Sequence, residues 1–503
     1  MLPSKYKYGN AIAVCISAAL VFIAVLEINF VLSWLCFVPL FLVLQNSGNR
    51  NLASGVLFGV TLSLLSFSWM VPGAQRFTGS GVVYGVVVFF LSALILILYW
   101  TALFALFSFL QRPVKKMGDV VMNAATAGAL WVLGEALLAL VSLRMPWFLF
   151  RTGMSVSGNV YAIQPVSFLG VGIATFFVVV VNYFIAYSIA LKRYKSLLIP
   201  AAIFIGYMLA GFVMLQSFSG QKSNLKPVKA AILTENIPPE MRWDDASGNA
   251  LVQRLLSLAK ASAQLQPEIA VWSESTVPWT YRPDDDFVKE ILTISKGKNI
   301  TQILGINSDY DSSTVYNSAY AILPNGTVTG RYDKRYLLGF IEQPVAGVIF
   351  PFLSTGGYVV APGGSGKPLQ TPYGKAGILI CNESTVSSAA ADMVTNGAQF
   401  IVNMSNDGWF ADTYIADQHF YNARLRAVET RKDVVVNSND GITGLIKASG
   451  EIVSAKRRDE PNADIAIIQP NDTLPLAATS PYIMLYVCGA FMLFVVVMKL
   501  KSA

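Results

Sequence analysis

Cys381 is the residue whose type and setting most directly suggest chemistry. It lies in the sequence Leu-Ile-Cys-Asn-Glu-Ser, after the apolar run 376–380 and before a helix-like segment that begins near Ser384. A strand-to-helix turn of this kind exposes a nucleophile and directs helix N-terminal amides towards it. The alternative is an unreactive thiol buried in the core.

The positions of the other cysteines favour a reactive Cys381. Cys15, Cys36 and Cys488 all fall within long apolar stretches, which leaves Cys381 as the one cysteine in the polar part of the chain. If that part is exported, an unpaired thiol there is a liability unless it is buried or used. We therefore expect Cys381 to be a nucleophile.

A catalytic thiol needs a base or a neighbouring cation. The one histidine, His419, lies in an amphipathic helical pattern, where a packed imidazole is equally consistent. Glu274 ends a strand-like run, where desolvation could make its carboxylate basic enough to accept a proton, or where it could be a solvated cap. Lys334 could stabilise a thiolate and an oxyanion, or it could be a surface lysine. Taken singly, these residues leave the choice of base open.

The composition predicts that membrane spans surround these residues. Of 503 residues, 54% are hydrophobic and 13% are charged, and the mean hydropathy is +0.52. A helix needs about 20 apolar residues to cross a hydrocarbon core of about 30 Å. Eight stretches are candidates, at 11–27, 29–45, 52–71, 81–110, 122–143, 162–191, 197–215 and 481–499. The sequence thus predicts an α-helical transmembrane bundle of eight spans.

Residues 216–480 have a different pattern, in which short apolar runs are interrupted by Pro, Gly, Asn and Asp. Helical patterns occur at 249–265 and 417–432, and hairpin turns are predicted at 324–326 and 448–451. Strand-like runs occur at 229–233, 269–272, 301–305, 318–323, 376–380, 399–404, 433–438 and 443–447. Such alternation predicts an inserted α/β domain with a mixed sheet.

The predicted domain organisation has three parts. Residues 1–215 form a bundle of seven spans, 216–480 form the inserted α/β domain, and 481–503 form the eighth span with a short tail. Three predicted strands end in polar residues, at 272–274, 380–383 and 405–407. Because sites in layered α/β folds gather at the carboxyl ends of strands, we expect these three ends to form one pocket.

Basic residues in the short loops predict the orientation, since Lys and Arg are retained on the cytoplasmic side. One set of alternate loop ends carries only Arg76, Arg144 and Arg151. The other set carries Lys5, Lys7, Arg50, Arg112, Lys115, Lys116, Lys192, Arg193, Lys195, Lys499 and Lys501. Both termini are therefore predicted to be cytoplasmic and the α/β domain to lie outside. The net charge of +7 follows largely from this asymmetry, so no nucleic-acid partner is predicted.

The order Glu, Lys, Cys, each within its own sequence block, resembles the nitrilase or carbon-nitrogen hydrolase superfamily. The chain is also similar, over nearly its whole length, to the apolipoprotein N-acyltransferase family. The similar blocks lie in family order at 232–244, 272–275, 330–342, 380–384, 403–410 and 418–446. This resemblance implies that the inserted external domain is a nitrilase-like αββα sandwich. It also implies a multi-pass protein of the bacterial inner membrane with a periplasmic catalytic domain.

The resemblance further implies a ping-pong acyl transfer. Glu274 acts as general base, Lys334 stabilises the oxyanion and Cys381 is the nucleophile. The thiolate takes an acyl chain from a membrane phospholipid. The thioester then passes it to the α-amino group of the diacylglyceryl-modified cysteine of an apolipoprotein. No cofactor and no metal are implied, and the protein is taken to act as a monomer.

Four further residues are implied to support the site. Glu342 resembles the second carboxylate of the family near the lysine, Glu383 its acidic residue after the cysteine, and Trp243 an aromatic residue near the pocket. Asn382 stands where the family usually has an aromatic residue, and Ile341 where it usually has glycine. These two departures leave the roles of Glu342 and Asn382 open.

Residues 343–364 are rich in aliphatic and aromatic side chains but are broken by Gly and Pro. We interpret this segment as an arm that dips into the outer leaflet and gates lipid entry, with Phe350 and Phe352 contacting lipid. The alternative is an irregular segment packed into the core of its own domain.

Two other function classes stay open on the sequence. One is a membrane-tethered carbon-nitrogen hydrolase that cleaves a small amide, with water as the acceptor. The other is a transporter or receptor whose α/β domain only binds ligands. Such a protein needs buried ionisable residues in its membrane part, and Glu135, in the fifth predicted span, is the main candidate.

Overall fold

The computed structural model describes residues 5–45, 51–73, 82–143, 145–219, 223–238, 241, 243–244, 247–349, 359–410, 413–457 and 459–502. The chain divides into two compact units. The first comprises Met1–Gln75, Ser80–Ser217 and Tyr482–Ala503, and the regular elements among its described residues are helices. The second comprises Arg76–Gly79 and Phe218–Pro481 and contains the strands. The predicted α/β domain is therefore present.

The first unit consists of apolar helices. Its α-helices are Lys5–Val21, Phe30–Ser33, Val38–Leu44, Asn51–Phe67, Val82–Leu110, Met117–Val141, Val166–Leu169, Gly172–Ala190, Leu198–Ser219 and Ile483–Ser502. Within the described residues, six helical segments are long and apolar enough to cross a membrane, and two shorter ones at Phe30–Leu44 and Asn51–Phe67 are also apolar. Each overlaps one of the eight predicted stretches, while the number that crosses a membrane stays a prediction.

Two of the predicted stretches are interrupted. The chain leaves the regular helix at residues 34–37, and the Asn182 side chain bridges this break. Its Oδ1 accepts a hydrogen bond from Phe37 N at 2.8 Å, and its Nδ2 donates to Ser33 O at 2.9 Å. Backbone groups freed inside an apolar bundle need such internal partners. In the stretch 162–191, the break falls at Gly170, whose φ is +71°.

Glu135 is buried and fully engaged within the first unit. Its Oε1 accepts from Thr152 N at 2.8 Å, and its Oε2 accepts from Thr175 Oγ1 at 2.8 Å. These bonds join the helices Met117–Val141 and Gly172–Ala190 to the turn at 152. The arrangement supports a structural role for Glu135. This residue therefore gives no support to the transporter hypothesis.

The second unit contains fifteen strands among its described residues. They are β1 (Val228–Thr234), β2 (Ile269–Val271), β3 (Thr301–Gly305), β4 (Ser308–Asp309), β5 (Thr314–Tyr316), β6 (Ser318–Ile322), β7 (Val328–Asp333), β8 (Val359–Val360), β9 (Leu369–Thr371), β10 (Gly374–Ile380), β11 (Phe400–Ser405), β12 (Val434–Ser438), β13 (Ile442–Ile446), β14 (Ile452–Arg457) and β15 (Asn462–Ile468). Its α-helices are Gly248–Gln264, Asp286–Lys296, Ser387–Thr395, Tyr414–Thr430 and Leu476–Thr479.

These strands form two six-stranded mixed sheets and a small third sheet, β4-β5-β8. The first sheet has the order β15-β1-β2-β3-β6-β7, and the second has the order β14-β13-β12-β11-β10-β9. In the first, β1, β2 and β3 are parallel neighbours, and in the second β10, β11 and β12 are. The carboxyl ends of parallel neighbours lie at one edge of a sheet, which is where the polar strand ends occur.

Side chains that alternate in direction along each strand explain why each sheet packs against the other sheet on one face and against helices on the other. In β1, Ile232 belongs to a hydrophobic cluster that also includes Ile378 and Val402 of the second sheet, so the two sheets share one core. The next residue, Leu233, faces a second cluster with the helices Gly248–Gln264 and Asp286–Lys296. A period of two residues thus places one face on the shared core and the other on helices. Burial of this apolar surface, at about 25 cal/mol per Å², holds the layers together.

All eight strand-like runs and both helical patterns predicted for this unit are present. The predicted hairpin turns join β6 to β7 and β13 to β14, with Gly326 at φ +87° and Gly450 at φ +83°. The strands that were not predicted are two or three residues long or, like β14, carry exposed side chains such as Val453 and Lys456. Hydrophobic periodicity gives little signal for a polar edge strand such as β7, whereas the apolar run 465–468 of β15 is a signal that the sequence interpretation missed.

Candidate active site

Cys381 begins a short 3-10 turn at the carboxyl end of β10. Its φ is +53°, a left-handed conformation that costs a non-glycine residue about 1–2 kcal/mol. Strained turns of this kind, between a strand and a helix, hold a nucleophile at the edge of a sheet. The side chain is half-buried. The structure therefore has the strand-to-turn geometry that the sequence predicts for this residue.

Glu383 ties the cysteine turn to the loop that carries Lys334. Its Oε2 accepts from Ile380 N at 2.9 Å, and its Oε1 accepts from Arg335 N at 2.8 Å and Tyr336 N at 3.1 Å. Burial raises the pKa of Glu383, and the backbone donors oppose this shift. Glu383 thus fixes the turn that carries Cys381 relative to the loop that carries Lys334.

Lys334 lies between two carboxylates. Its Nζ is 2.7 Å from Glu342 Oε1 and 3.4 Å from Glu274 Oε1, and its side chain is 1% exposed. Burial would lower its pKa, but Glu342 and Glu274 together raise the pKa well above the usual value. Glu342 Oε2 also accepts from Leu338 N at 2.8 Å, which fixes the loop. The lysine is therefore a permanent buried cation.

Glu274 follows β2 and is held by donors from three directions. Its Oε1 accepts from Asn317 Nδ2 at 2.8 Å as well as from the lysine, and its Oε2 accepts from Asn406 N at 3.1 Å. The backbone just before Glu274 packs closely against the end of β3. A Cβ atom at Gly305 would lie only 2.0 Å from Ser273 O. Glycine is required there for the glutamate to reach the site.

The two sheets thus bring Glu274, Lys334 and Cys381 together. Burial raises the pKa of the Cys381 thiol well above its usual value; Glu274 adds to the rise and Lys334 opposes it. A thiol in this state stays protonated at neutral pH until a base removes its proton as it attacks. Glu274 and Lys334 are close enough to this thiol to act on its charge in opposite directions.

A second polar cluster adjoins the same thiol. One side-chain atom each from Cys381, Asp407 and His419 lies within 4.8 Å of the other two. Asp407 Oδ1 and His419 Nδ1 are 2.7 Å apart, and both side chains are buried. Thiolate, imidazole and carboxylate groups are also ligands of Zn²⁺, but here the Asp407 and His419 side chains are hydrogen-bonded to each other.

The remaining predicted residues occupy different surroundings. Asn382 is fully buried, and its Nδ2 donates to Tyr336 O at 3.4 Å, so it supports the lysine loop. Ile341, which departs from the family pattern, is buried next to Glu342. Trp243 packs edge-on against Trp279 with ring centroids 5.7 Å apart, within the helix-covered cluster of the first sheet.

The prediction for the arm falls mostly outside the described residues. Phe350 and Phe352 lie in residues 350–358, which the structure does not describe. The described part before them makes a tight turn at Gly347, where φ is +79°. The lipid-gating role of the arm stays a prediction.

Sequence reasoning missed Asn317 and Glu235. Asn317, between β5 and β6, donates to Glu274 and also accepts from Lys334 N at 2.8 Å. Nothing in its sequence context distinguishes it from a turn residue. Glu235 directly follows β1 and accepts from Ser273 N at 2.9 Å, which supports the Glu274 turn. The rule of polar residues at strand ends would have found it.

Glu235 gives the protein a specific pH dependence. Burial raises its pKa from 4.5 to about 7, and hydrogen bonds from Ser273 and Thr276 oppose this rise. The folded state therefore keeps a proton that the unfolded chain releases above about pH 4.5. This stabilisation is complete below that pH, is lost as the pH rises through about 7, and amounts to about 3 kcal/mol.

We expect Glu235→Gln to flatten this dependence. The apparent melting temperature of the full chain in detergent should fall several degrees less between about pH 5 and pH 8 than that of the wild type. Glu451→Gln, at an exposed turn, serves as the control and should keep the wild-type slope. Equal slopes for the Glu235 variant and the wild type would show that Glu235 does not hold the extra proton.

Comparisons with known proteins agree with both units. Residues 17–185 match the family model for the apolipoprotein N-acyltransferase N-terminal domain, and residues 229–474 match that for carbon-nitrogen hydrolase. An apolipoprotein N-acyltransferase of Vibrio parahaemolyticus is 24% identical over 454 residues, which cover 88% of this chain and 86% of the relative. One of Geobacter metallireducens is 29% identical over 233 residues, or 45% of each chain. Among solved structures, a nitrilase-superfamily protein of Saccharomyces cerevisiae covers 51% of this chain and 94% of its own, with 17% identity and a TM-score of 0.40.

Proposed function

Because the chain belongs to the apolipoprotein N-acyltransferase family, we propose that it acylates lipoproteins through a thioester at Cys381. The observation that carries the proposal is the convergence of Glu274, Lys334 and Cys381 at one edge of the hydrolase-like unit. Several membrane-length helices in the same chain support a lipid substrate. A hydrolase of small amides would need only one helix as an anchor.

The first half-reaction takes the acyl chain from a membrane phospholipid. Glu274 removes the thiol proton as Cys381 sulfur attacks the ester carbonyl carbon. The negative charge on the carbonyl oxygen is stabilised by Lys334 and by a backbone amide near Asn382. The bond to the glycerol oxygen then breaks, that oxygen takes the proton from Glu274, and the lysophospholipid leaves.

The second half-reaction transfers the acyl chain to the diacylglyceryl-modified cysteine of an apolipoprotein. Its α-amino nitrogen attacks the thioester carbonyl carbon, and the same cation stabilises the second tetrahedral intermediate. The carbon-sulfur bond breaks, and Glu274 takes a proton from the nitrogen and passes it to the departing sulfur. This step leaves an amide on the lipoprotein and restores the Cys381 thiol. Glu342 keeps Lys334 charged and in place through both steps. This ping-pong order requires the lysophospholipid to leave before the acceptor reacts.

The membrane arrangement is part of the proposal. We place the protein in the bacterial inner membrane as a monomer with eight spans and both termini in the cytoplasm. The second unit then lies in the periplasm as an αββα sandwich, where phospholipid headgroups and exported lipoproteins meet it. Trp243 lines the approach to the site in this proposal. The asymmetry of basic residues between alternate loops supports the orientation.

A transfer assay tests the proposed function. The full chain is reconstituted in phospholipid vesicles with an isotope-labelled acyl chain, and a diacylglyceryl-cysteine peptide or a short amide is added. We expect label to appear on the peptide amine as a stable amide and the short amide to remain intact. Cleavage of the short amide without labelling of the peptide would instead support the membrane-tethered hydrolase.

A further inference from the structure

Asp407 and His419 are arranged by the same strand ends that place the nucleophile. β10, β11 and β12 are parallel neighbours. Cys381 follows the first, Asp407 lies two residues after the second, and Ser438 ends the third. Asp407 Oδ2 accepts from Ser405 Oγ at 3.1 Å and Ser438 Oγ at 3.0 Å. A side chain at Gly441 would lie 2.8 Å from this oxygen, so the close packing requires glycine. The carboxylate is thus rigidly held.

This carboxylate fixes the state of His419. A carboxylate can only accept, so the His419 Nδ1 atom, 2.7 Å from Asp407 Oδ1, carries the proton. When Nδ1 carries the only ring proton, Nε2 is the accepting nitrogen. Among the described residues Nε2 has no hydrogen-bond partner, although the residue is only 1% exposed. A buried acceptor without a partner costs about 1–3 kcal/mol, which is consistent with a group kept for a substrate.

The proposed transfer creates a need for such an acceptor. An α-ammonium group that becomes an amide gives up two protons. Glu274 can take one and pass it to the departing sulfur of Cys381, which restores the thiol. The other proton needs a second acceptor near the thioester. Glu274 cannot hold both protons of the ammonium group at once, because one carboxylate holds one proton.

We propose that His419, held by Asp407, is the proton acceptor for the incoming amine, an inference that rests on the proposed lipoprotein acylation. The α-ammonium gives one proton to His419 Nε2, and the freed lone pair forms the nitrogen-carbon bond to the thioester. The carbon-sulfur bond breaks and the second proton passes through Glu274 to Cys381 sulfur. Asp407 stabilises the imidazolium, which afterwards releases its proton to solvent.

The charges around His419 suit an ammonium substrate. Within the part of the chain that the structure describes, Asp407, from the turn at 407–410, and Cys381, from the turn at 381–385, lie close to the imidazole. Glu274, Glu342 and Lys334 act on the same thiol. The single positive charge of Lys334 is outnumbered by three carboxylates around Cys381, those of Glu274, Glu342 and Asp407. These groups together carry a net negative charge. That side of the thiol therefore attracts a cation and can deprotonate it.

Separate measurement of the two half-reactions tests this role. The full chain is loaded from phospholipid vesicles, and the thioester is discharged either by a diacylglyceryl-cysteine peptide or by hydroxylamine, which is uncharged near neutral pH. His419→Gln can still donate a hydrogen bond to Asp407 but cannot take a proton. We expect it to load at the wild-type rate and to be discharged by the peptide about 100-fold more slowly, in the range of a lost general base. Discharge by hydroxylamine should be unchanged.

Two further variants guard against a merely structural effect. Asp407→Asn would donate to Nδ1 and so fix the opposite ring tautomer, and it should reproduce the peptide-specific defect. Tyr421→Phe, on the same helix and packed against the core, should behave as the wild type. Loss of loading together with discharge, or equal slowing with hydroxylamine, would overturn the assignment. A wild-type chain that never forms the thioester would overturn the proposed function before His419 is considered.

Discussion

Replacement of Glu274 by Gln is expected to change the two reactivities of Cys381 in opposite directions. Acyl loading from phospholipid should fall by about 100- to 10,000-fold, because the thiol loses its general base. Alkylation by iodoacetamide at neutral pH should become faster. Burial and the Glu274 carboxylate both raise the pKa of the thiol, while Lys334 lowers it. Without the Glu274 carboxylate, the pKa of the Cys381 thiol falls, because Lys334 still lowers it and one group that raised it is gone. The thiolate fraction at neutral pH therefore rises.

The measurement uses a chain in which Cys381 is the remaining cysteine, with Cys15, Cys36 and Cys488 replaced by Ala. Loading and alkylation are both followed by intact mass. Glu290→Gln, at an exposed glutamate of the helix Asp286–Lys296, is the control and should change neither rate. If the folded Glu274 variant were alkylated more slowly than the wild type, its charge would not act on the thiol as the geometry indicates.

Replacement of Lys334 by Met should cost both activity and stability. The variant keeps the length of the side chain but leaves Glu274 and Glu342 buried without their shared cation. Removal of one partner of a buried ion pair costs about 3–5 kcal/mol. Loss of an oxyanion donor also slows acyl transfer by about 100- to 1,000-fold. Thermal unfolding and the loading rate of the full chain measure the two effects.

A second substitution separates stability from catalysis. The double variant Lys334→Met with Glu342→Gln removes one of the two carboxylates that the single variant leaves without their cation. Its melting temperature should therefore partly recover. The loading rate should stay low, because the cation is still absent. Lys289→Met, at an exposed lysine, controls for the substitution itself. Recovery of activity in the double variant would contradict the role given to Lys334.

The sequence predicts the part of the site that lies at strand ends. Cys381 follows a run of apolar residues that are fully buried in β10, and Glu274 follows such a run in β2. Their polarity stands out because the strands before them face the core on one side and helices on the other. The fold class is predictable for the same reason, since long apolar helices and alternating strands have distinct periods.

Other features depend on contacts between residues far apart in the chain. Asn317 reaches Glu274 across 43 positions, and no local pattern marks it. His419 looks like an ordinary residue of an amphipathic helix until the fold places Asp407 and Cys381 beside it. The break at 34–37 differs, because Pro39 in the first turn of the next helix marks it locally, and Asn182, 145 positions from Phe37, supplies the missing hydrogen bonds. Tertiary partners decide the roles of Asn317 and His419, so periodicity and propensity do not reveal them.

The most direct test of the central claim is the intact mass of the full chain after incubation with phospholipid vesicles. The wild type should gain the mass of one acyl chain, hydroxylamine should remove it, and a diacylglyceryl-cysteine peptide should discharge it. Cys381→Ala should gain no mass under the same conditions. The absence of an adduct on folded wild-type protein, or an equal adduct on the Cys381→Ala variant, would contradict a thioester at Cys381.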